Sequence, residues 1–507
     1  MPSFSHKIIS LILLCLLYSS GLQAQFNSPL ERHISLSVEE DMQASGNIFF
    51  SSWKPFIQEH IQPATSRSLV WNDTQSSRRT WWGRKIFEES LLERGDSGYY
   101  LFFDPVFDFS LGKESSTDRK LYVNTRGIRA GARLGKRFAF ETDVYENQIK
   151  VPIQVDEYTA MWRVMPGQGQ ARRYKNTGWD FFNASGYISW SIHRSHNVQF
   201  GHGKHFVGDG YRSLLLSDNT FNYPYIKYTA TFGRWQYVRN VSSFMNIVSQ
   251  SDVYEYPKKT AGFDYLTVLI GKKLYLSLFE SNIWHNPDST GRFKPTFPMF
   301  NPIILTNTLF TKNSEKTHSL VGINVRYDLS QSIQLYGQLA FDDMMNTLKK
   351  NGKQIGAKYF NAFTIDRLFL QAEYNEIEKD SYSYTKDTYI SYTHYNQAIA
   401  HPLGNNLREV LAFASYAFRR FRFDYRFNFA KEKDAGVTAL QELPIYNHGK
   451  KVVSNHIQAA WIINPRTMMQ LAVAYTDRNE TTITNSRHTG VFLISFRTAL
   501  RNIYFDF

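Results

Sequence analysis

The chain has 507 residues, a formal net charge of +13 and one cysteine, Cys15. A single cysteine excludes an internal disulfide and a thiolate metal site, and no later stretch approaches the roughly 18 apolar residues of a membrane helix. Aromatic residues make up 16% of the chain although its mean hydropathy is −0.40. Two classes fit this composition: an all-β sandwich or repeat protein, and a membrane β-barrel whose apolar residues alternate with polar ones.

The N-terminus has the pattern of a secretory signal. Lys7 precedes the apolar run 8–17, and the small residue Ala24 follows at a suitable distance. The run is too short to span a bilayer, and Leu14 before Cys15 argues against a lipoprotein signal. The sequence therefore predicts a signal peptide over residues 1–24 and an exported chain without cysteine.

Residues 25–120 lack a two-residue period. An apolar stripe predicts a helix over 81–94, and the stretch 51–61 suggests a second short helix with Ser52 as its cap and Pro55 in its first turn. We interpret 25–120 as a periplasmic helical or plug segment that leads into the first strands. It is expected to pack against the periplasmic mouth of a barrel or inside it.

From residue 121 to 507 the dominant pattern is strict alternation, which predicts strands with one apolar and one polar face. In FRFDYRFNF, 421–429, every odd residue is aromatic and every even one is polar. Hairpins are predicted over 124–148, 410–430 and 456–477, with long polar loops over 431–451 and 476–490. Short turns that alternate with long loops are typical of outer-membrane barrels.

The fold class predicted is all-β: a transmembrane antiparallel barrel of about 18 strands, with a short N-terminal helical segment on the periplasmic side. The chain ends in NIYFDF, with Ile503, Phe505 and Phe507 on one face. Strand parity then predicts that residues 490–507 form one long closing strand.

The glycine-rich stretch 201–225, GHGKHFVGDGYRSLLLSDNTFNYPY, interrupts this pattern. A phosphate-binding loop would open a helix, but a second strand follows here. Ser213, His205 and Asp209 lack the elbow of a hydrolase triad. His202 and Asp218 extend a conceivable metal set, but such pairs are common in loops. We expect neither a catalytic nor a metal site, and no cofactor.

We interpret this stretch as a loop that folds into the lumen, pinned by Arg212 between Asp209 and Asp218, because an unpaired charge there is costly. The alternative is that the loop contacts a sugar or an anion. The candidate ligand-binding or loop-network residues are Lys204, His205, Asp209, Tyr211, Arg212, Asp218 and Tyr223.

Several stretches together resemble the capsule-assembly Wzi-like outer-membrane barrels, and more closely their Bacteroidetes branch with RemB-type gliding-motility proteins. They are 201–218, 278–284, 300–304, 335–343, 357–363, 370–376 and 400–406. The resemblance covers residues from about 180 to the end. It implies a barrel plugged from within that tethers capsular polysaccharide or supports surface adhesion and motility.

We therefore expect a non-enzymatic protein of the cell outer membrane that binds or anchors capsular or exopolysaccharide, or supports surface assembly or gliding. Expected partners are outer-membrane lipid or lipopolysaccharide, such polysaccharides and other surface-assembly proteins, but no nucleic acid. One alternative is a small-solute channel or transporter, which an open lumen lined by Arg126, Arg129, Arg422 or Arg426 would favour. A third class is an outer-membrane hydrolase that uses Ser213 and His205.

Overall fold

The structure is a computed structural model, and it describes most of the chain after residue 25. The described residues are 26–57, 78, 80–96, 98–135, 137–175, 177–247, 256, 258–285, 299, 301–310, 317–344, 347–383, 388–433, 450–498, 502 and 504–506. The predicted signal peptide, residues 1–24, lies outside them, as do residues 434–449 of the predicted loop 431–451.

The main body is a closed antiparallel β-barrel of 18 strands, as the alternating pattern predicted. Each strand pairs with the next in sequence, and the last closes on the first through pairs such as Arg497 with Asp108. The strands are β1 Tyr99–Glu114, β2 Lys120–Leu134, β3 Phe138–Lys150, β4 Gly178–His193, β5 His196–Gly203, β6 Tyr223–Phe232, β7 Trp235–Met245, β8 Lys258–Ile270, β9 Leu274–Trp284, β10 Thr317–Asp328, β11 Ile333–Asp342, β12 Asn351–Tyr359, β13 Leu368–Ile377, β14 Leu407–Phe418, β15 Phe421–Glu432, β16 Lys451–Asn464, β17 Met469–Thr481 and β18 Ser486–Arg497.

The wall is apolar outside and polar inside. In β15, Phe421 and Phe423 are about half exposed, whereas Arg422 between them is 5% exposed. Closure pairs the backbone groups of every strand edge, which a chain in hydrocarbon requires. An exposed apolar belt on a closed sheet is the surface that lipid covers in membrane barrels.

The two ends of the barrel differ. The short-turn end carries the connections 135–137, 194–195, 233–234, 271–273, 329–332, 360–367, 419–420 and 465–468. The long-loop end carries 151–177, 204–222, 246–257, 285–316, 378–406 and 433–450, together with the shorter links 115–119, 343–350 and 482–485. The predicted long loop over 476–490 is wrong, because β17 and β18 continue through most of it and leave only 482–485 between them.

The helices are α1 Arg32–Ser45, α2 Trp81–Phe87, α3 Ile153–Trp162 and α4 Thr306–Phe310. Helix α1 was not predicted from the sequence. Its first turn is capped by the Glu31 carboxylate, and it ends at Gly46, whose φ of +68° suits a residue without a Cβ. Within the described residues, no helix has the length and apolar character needed to cross a bilayer.

Both N-terminal helix predictions need correction. Only the first half of 81–94 is helical, since Leu92–Gly95 is extended and pairs with β1. The predicted helix over 51–61 is wrong in its described part: Trp53–Lys54 is a short strand, and the Ser52 hydroxyl donates to Asp209 instead of capping a helix. The first barrel strand also begins at Tyr99, earlier than the boundary at residue 121.

The C-terminal strand prediction is wrong too. β18 ends at Arg497, and the described residues beyond it, 498, 502 and 504–506, are not in a strand. Tyr504 and Asp506 are 4% and 2% exposed, because the chain turns into the lumen there. Phe505 packs against the hydrophobic cluster of the lumen instead of lying on one face of a closing strand, whereas Ile503 and Phe507 lie outside the described residues.

Candidate functional site: the occupied lumen

The lumen is occupied by segments from five parts of the chain. They are α1, residues 46–57, the connection 204–222, the described residues 378–383 and 388–406, and the described residues 502 and 504–506. One hydrophobic cluster includes wall residues of β4, β8 and β13 together with Leu214, Leu215 and Leu216 of the loop between them. Tyr382 and Tyr392 donate to the carbonyls of Leu214 and Leu215, which links two of these segments.

The connection 204–222 enters the lumen directly after β5. Phe206–Val207 forms a two-stranded sheet with Trp53–Lys54, so that two segments hold each other across the barrel interior. Gly208 has a φ of +136°, and a Cβ there would lie 2.4 Å from the Gln338 amide nitrogen of β11. This position therefore requires glycine.

Arg212 forms the centre of a fully buried ion cluster. Its guanidinium donates to Glu409 of β14 at 2.8 and 3.1 Å and to Asp506 at 3.2 Å. His401 lies 2.9 Å from the Glu409 carboxylate, and the Tyr211 hydroxyl donates to Asp506 at 3.0 Å. Burial lowers the pKa of Arg212, but the two carboxylates outweigh burial and raise it well above its ordinary value. The cluster joins the connection 204–222, here called the inward loop, to the barrel wall. It also joins this loop to the described residues 502 and 504–506, here called the C-terminal segment.

Asp209 belongs to a second cluster. Its carboxylate accepts hydrogen bonds from Ser52 at 2.8 Å and from Asn324 of β10 at 3.1 Å. Burial alone would raise the pKa of Asp209, but the charges of Arg326 and Lys54 hold it below its ordinary value. Lys54 also donates to the Gly208 carbonyl at 2.9 Å. This cluster fixes residues 51–54 against the inward loop.

Glu39 extends the Asp209 cluster into α1. Lys54 lies 3.1 Å from its carboxylate, and Lys358 of β12 contacts it from the wall. Burial acts to raise the pKa of Glu39, but Lys358 and Lys54 together lower it. Because Glu39 is 3% exposed, this carboxylate ties the helix to the lumen wall.

Asp218 belongs to a third cluster. Its carboxylate accepts from the Tyr504 hydroxyl at 2.8 Å and from the Asn502 amide at 2.9 Å. The Lys204 ammonium donates to the backbone carbonyls of Gly167 and Asp218, at 2.5 and 3.1 Å. These contacts connect the inward loop to the C-terminal segment and to the connection 151–177.

His205 and Tyr223 form a neutral pair at the two ends of the inward loop. The Tyr223 hydroxyl accepts from the His205 backbone N–H at 3.1 Å and lies 3.2 Å from its Nδ1. Burial, and to a smaller degree the charge of Lys227, lowers the pKa of His205 well below 6.5. The imidazole is therefore neutral at pH 7.

All seven predicted site residues are thus buried, but they do not form one site. Arg212 pairs with Glu409 and Asp506, and not with Asp209 and Asp218, the partners predicted from their proximity in sequence. The carboxylates that sequence reasoning missed are Glu39, Glu409 and Asp506. A charge on the inward face of an alternating strand, such as Glu409 in LREVLAF, was a usable signal for one of them.

The triad considered for a hydrolase is not assembled. The Ser213 hydroxyl donates to the Val207 carbonyl at 2.5 Å and accepts from the N–H groups of Leu215 and Leu216. It has a turn-stabilising role. Among the described residues, no group of three or more histidine and acidic side chains could hold a metal ion.

Three of the four arginines considered for a channel lining do face inward, and all three are paired. Arg129 contacts Glu141, Arg422 donates to Asp424 at 3.0 Å, and Arg426 donates to the Tyr211 hydroxyl at 2.9 Å. Arg126 is instead exposed, on the same outward face of β2 as Ile128. Arg126 therefore does not contribute to the lining considered for the alternative channel.

At the long-loop end, the connection 151–177 presents cations to solvent. Arg163, Arg172 and Lys175 are exposed around α3. Arg173 lies over the Trp179 ring at 3.8 Å and pairs with Asp156 at 3.0 Å. This basic surface belongs to a connection that also packs inward, since Val164 and Met165 within it are fully buried.

The fold is similar to that of a solved structure. The chain matches Wzi of Escherichia coli, an outer-membrane protein involved in group 1 capsule assembly and described as a carbohydrate-binding β-barrel, with a TM-score of 0.59 and 14% identity. The match covers 95% of this chain and 100% of that one. At this identity the likeness establishes the barrel fold alone.

Weaker likenesses involve two outer-membrane proteins of Pseudomonas aeruginosa. OprD and OccD3 (OpdP) each match 82% of this chain, with TM-scores of 0.44 and 0.43, and 98% and 95% of their own chains, at 10% identity. No family model matches the chain, and no curated protein matches it.

Proposed function

We propose that this protein is a non-enzymatic barrel of the outer membrane that binds or anchors an acidic surface polysaccharide at its long-loop end. The observation that carries the proposal is the filled lumen: five segments of the chain's own sequence occupy it, and their charges are paired with one another or with residues of the wall. A barrel built in this way offers a loop surface to a ligand but no wide passage to a solute.

The charge of the long-loop end supports the acidic ligand. Arg163, Arg172 and Lys175 are exposed on a connection whose interior is packed. The formal net charge of +13 has the same sign. Positive surface raises the local concentration of a polyanion and speeds its association, although screening by salt weakens the effect. The carbohydrate-binding description of the Wzi barrel agrees with this class of ligand.

A binding experiment with a matched control tests the proposal. The purified barrel in detergent is titrated with the acidic polysaccharide released from its own cells. A triple substitution of Arg163, Arg172 and Lys175 by glutamine is expected to reduce binding strongly and to flatten its salt dependence. Substitution of Arg194 and Arg234, which lie in turns at the short-turn end, is the control and should leave binding unchanged. Equal loss in both variants, or no binding by the unaltered chain, contradicts the proposal.

A deletion strain separates the finer roles. The resemblance of residues 201–218 to the RemB-type branch of Bacteroidetes supports a contribution to surface assembly or gliding. Deletion is expected to shift polysaccharide from the cell surface to the medium, or to reduce spreading on agar. If neither changes, the role in surface attachment and motility is wrong.

Export through cleavage after Ala24 is part of the same proposal and is tested by N-terminal sequencing of the mature chain.

The channel remains the second candidate because a barrel of 18 strands is wide enough to enclose one. Liposomes that contain the protein are placed in small sugars or amino acids. Swelling above that of empty liposomes would favour transport, whereas the filled lumen predicts none.

A further inference from the structure

A cavity of about 200 Å³ lies inside the barrel between the wall and residues 48–57. Its wall side is formed by consecutive inward residues of β6 and β7, among them Lys227 and Thr229. Gly233 of the turn 233–234 and Ile48, which is 45% exposed, also line it. The cavity therefore faces the short-turn end, opposite the polysaccharide-binding surface proposed above.

Lys227 is the unusual group in this cavity. It is 1% exposed, and none of the described residues forms a hydrogen bond or an ion pair with its ammonium. The other fully buried lysines differ: Lys358 contacts Glu39, and Lys259 donates to the Ser391 carbonyl at 2.7 Å and to the Thr393 hydroxyl at 3.1 Å. A buried charge is normally paired because desolvation costs several kcal/mol, so an unpaired ammonium beside open space indicates a missing counter-anion.

The side of the cavity opposite the wall is aromatic. Phe49, Phe50, Trp53 and Phe56 line it, and Trp53 and Phe56 are 5% and 3% exposed. On the wall side, Thr229, Thr231 and Gln236 provide hydroxyl and amide groups beyond Lys227, toward the short-turn end. Rings opposite hydrogen-bonding groups favour a flat or cyclic molecule with one apolar face.

We propose that this cavity binds a small organic anion whose carboxylate is attached to a ring with an apolar face, with the carboxylate at Lys227 and the ring against Trp53 and Phe56. Two kinds of molecule share this chemistry: a uronic-acid sugar and an aromatic carboxylate. The site does not depend on the proposed polysaccharide surface, because it lies at the other end of the barrel and is made by other residues.

The test measures binding of defined probes to the full-length barrel in detergent by calorimetry. Glucuronate and benzoate represent the two sources, glucose lacks the charge, and acetate and inorganic phosphate lack the ring. One or both ring carboxylates should bind tighter than acetate, phosphate and glucose, and the tighter one identifies the source. If neither binds at millimolar concentration, or if phosphate or acetate binds as tightly, the proposal is overturned.

Variants locate the site. Lys227→Met should weaken binding of the ring carboxylate at least about ten-fold, the usual loss for a charge-assisted hydrogen bond. Lys272→Met removes an exposed lysine from the turn 271–273 at the same end and should leave binding unchanged. Thr229→Leu narrows the cavity without altering its charge and should also weaken binding, so it decides the question if Lys227→Met does not fold. Binding that survives Lys227→Met or Thr229→Leu in a folded barrel contradicts the proposal.

Discussion

The two faces of one strand, β15, illustrate how differently the outside and the inside of this barrel are stabilised. Outside, Phe421 and Phe423 are about half exposed, on the kind of surface that lipid covers in membrane barrels. Inside, Arg422 is 5% exposed and donates to Asp424 and to Gln470 of β17. A residue on the outer face needs only to be apolar, whereas a residue on the inner face needs a particular partner.

The largest effect is expected from breaking the most deeply buried inner contact. Arg212→Met removes the buried guanidinium that Glu409 and Asp506 share, and loss of one partner from a buried cluster destabilises by about 3–5 kcal/mol. The folded and unfolded barrels migrate differently on a gel, and the urea concentration at which half of the protein has unfolded is measured. Arg408→Met, which removes an exposed partner of Glu376, is the control and should shift the midpoint little. Equal shifts of the midpoint would show that the buried cluster stabilises the barrel no more than the exposed ion pair does.

On the outer face, a charged substitution should destabilise the barrel, whereas exchange of one apolar residue for another should be tolerated. Ile457 is 52% exposed at the middle of β16, where arginine would enter the bilayer. Ile457→Arg is expected to reduce the free energy of unfolding by about 2–4 kcal/mol, whereas Ile457→Leu should cost little. Refolding into lipid vesicles followed by urea titration measures both. A neutral Ile457→Arg would mean that lipid does not contact this face.

The inner face should also be sensitive to acid. Asp209 and Glu39 have pKa values below their ordinary 3.8 and 4.5, so both bind protons more weakly when folded than when unfolded. Their contribution to the free energy of unfolding is complete above about pH 4.5. It is lost as the pH falls through their lowered pKa values. Asp209→Asn removes part of this dependence and, because hydrogen bonds to a charged group contribute about 1.5–3 kcal/mol, should cost roughly that amount at pH 7. A parallel pH profile of unfolding midpoints in both proteins would contradict the assignment.

The smallest effect concerns the C-terminal segment. Tyr504→Phe removes the hydrogen bond to Asp218 but keeps the ring beside Tyr211, so a loss of about 1 kcal/mol is expected. Hydrogen exchange of the inward loop should rise slightly in this variant. Tyr416→Phe, on the outward face of β14, is a matched control and should change neither quantity.

The outer face explains why most of the fold was predictable. Alternation is local, so hairpins such as the one around Arg419 and Arg420 are readable from adjacent residues. The strand number was predicted from the length of the alternating region divided by roughly 20–25 residues for each strand and its connection. The C-terminal end was predicted wrongly because its polar residues have partners in the lumen. The stretch NIYFDF alternates like a strand, but Tyr504 binds Asp218 and Asp506 binds Arg212.

The inner contacts were much less predictable. Asp209 is near Arg212 in sequence, yet its partners are Ser51, Ser52 and Asn324, from two distant parts of the chain. Helix α1 buries Ser35 and Glu39 beside Ile34, Val38 and Met42, so its apolar stripe is interrupted by polar residues in the sequence. Contacts between residues that lie hundreds of positions apart produce no periodic pattern that could be recognised in a single sequence.

Single-channel recording tests the central claim, that the chain's own segments fill the lumen, most directly. The full-length protein is inserted into a planar lipid bilayer and held at a range of voltages in concentrated salt. The filled lumen predicts no regular current steps beyond those of a protein-free bilayer. Stable and uniform steps, proportional to voltage, would contradict it.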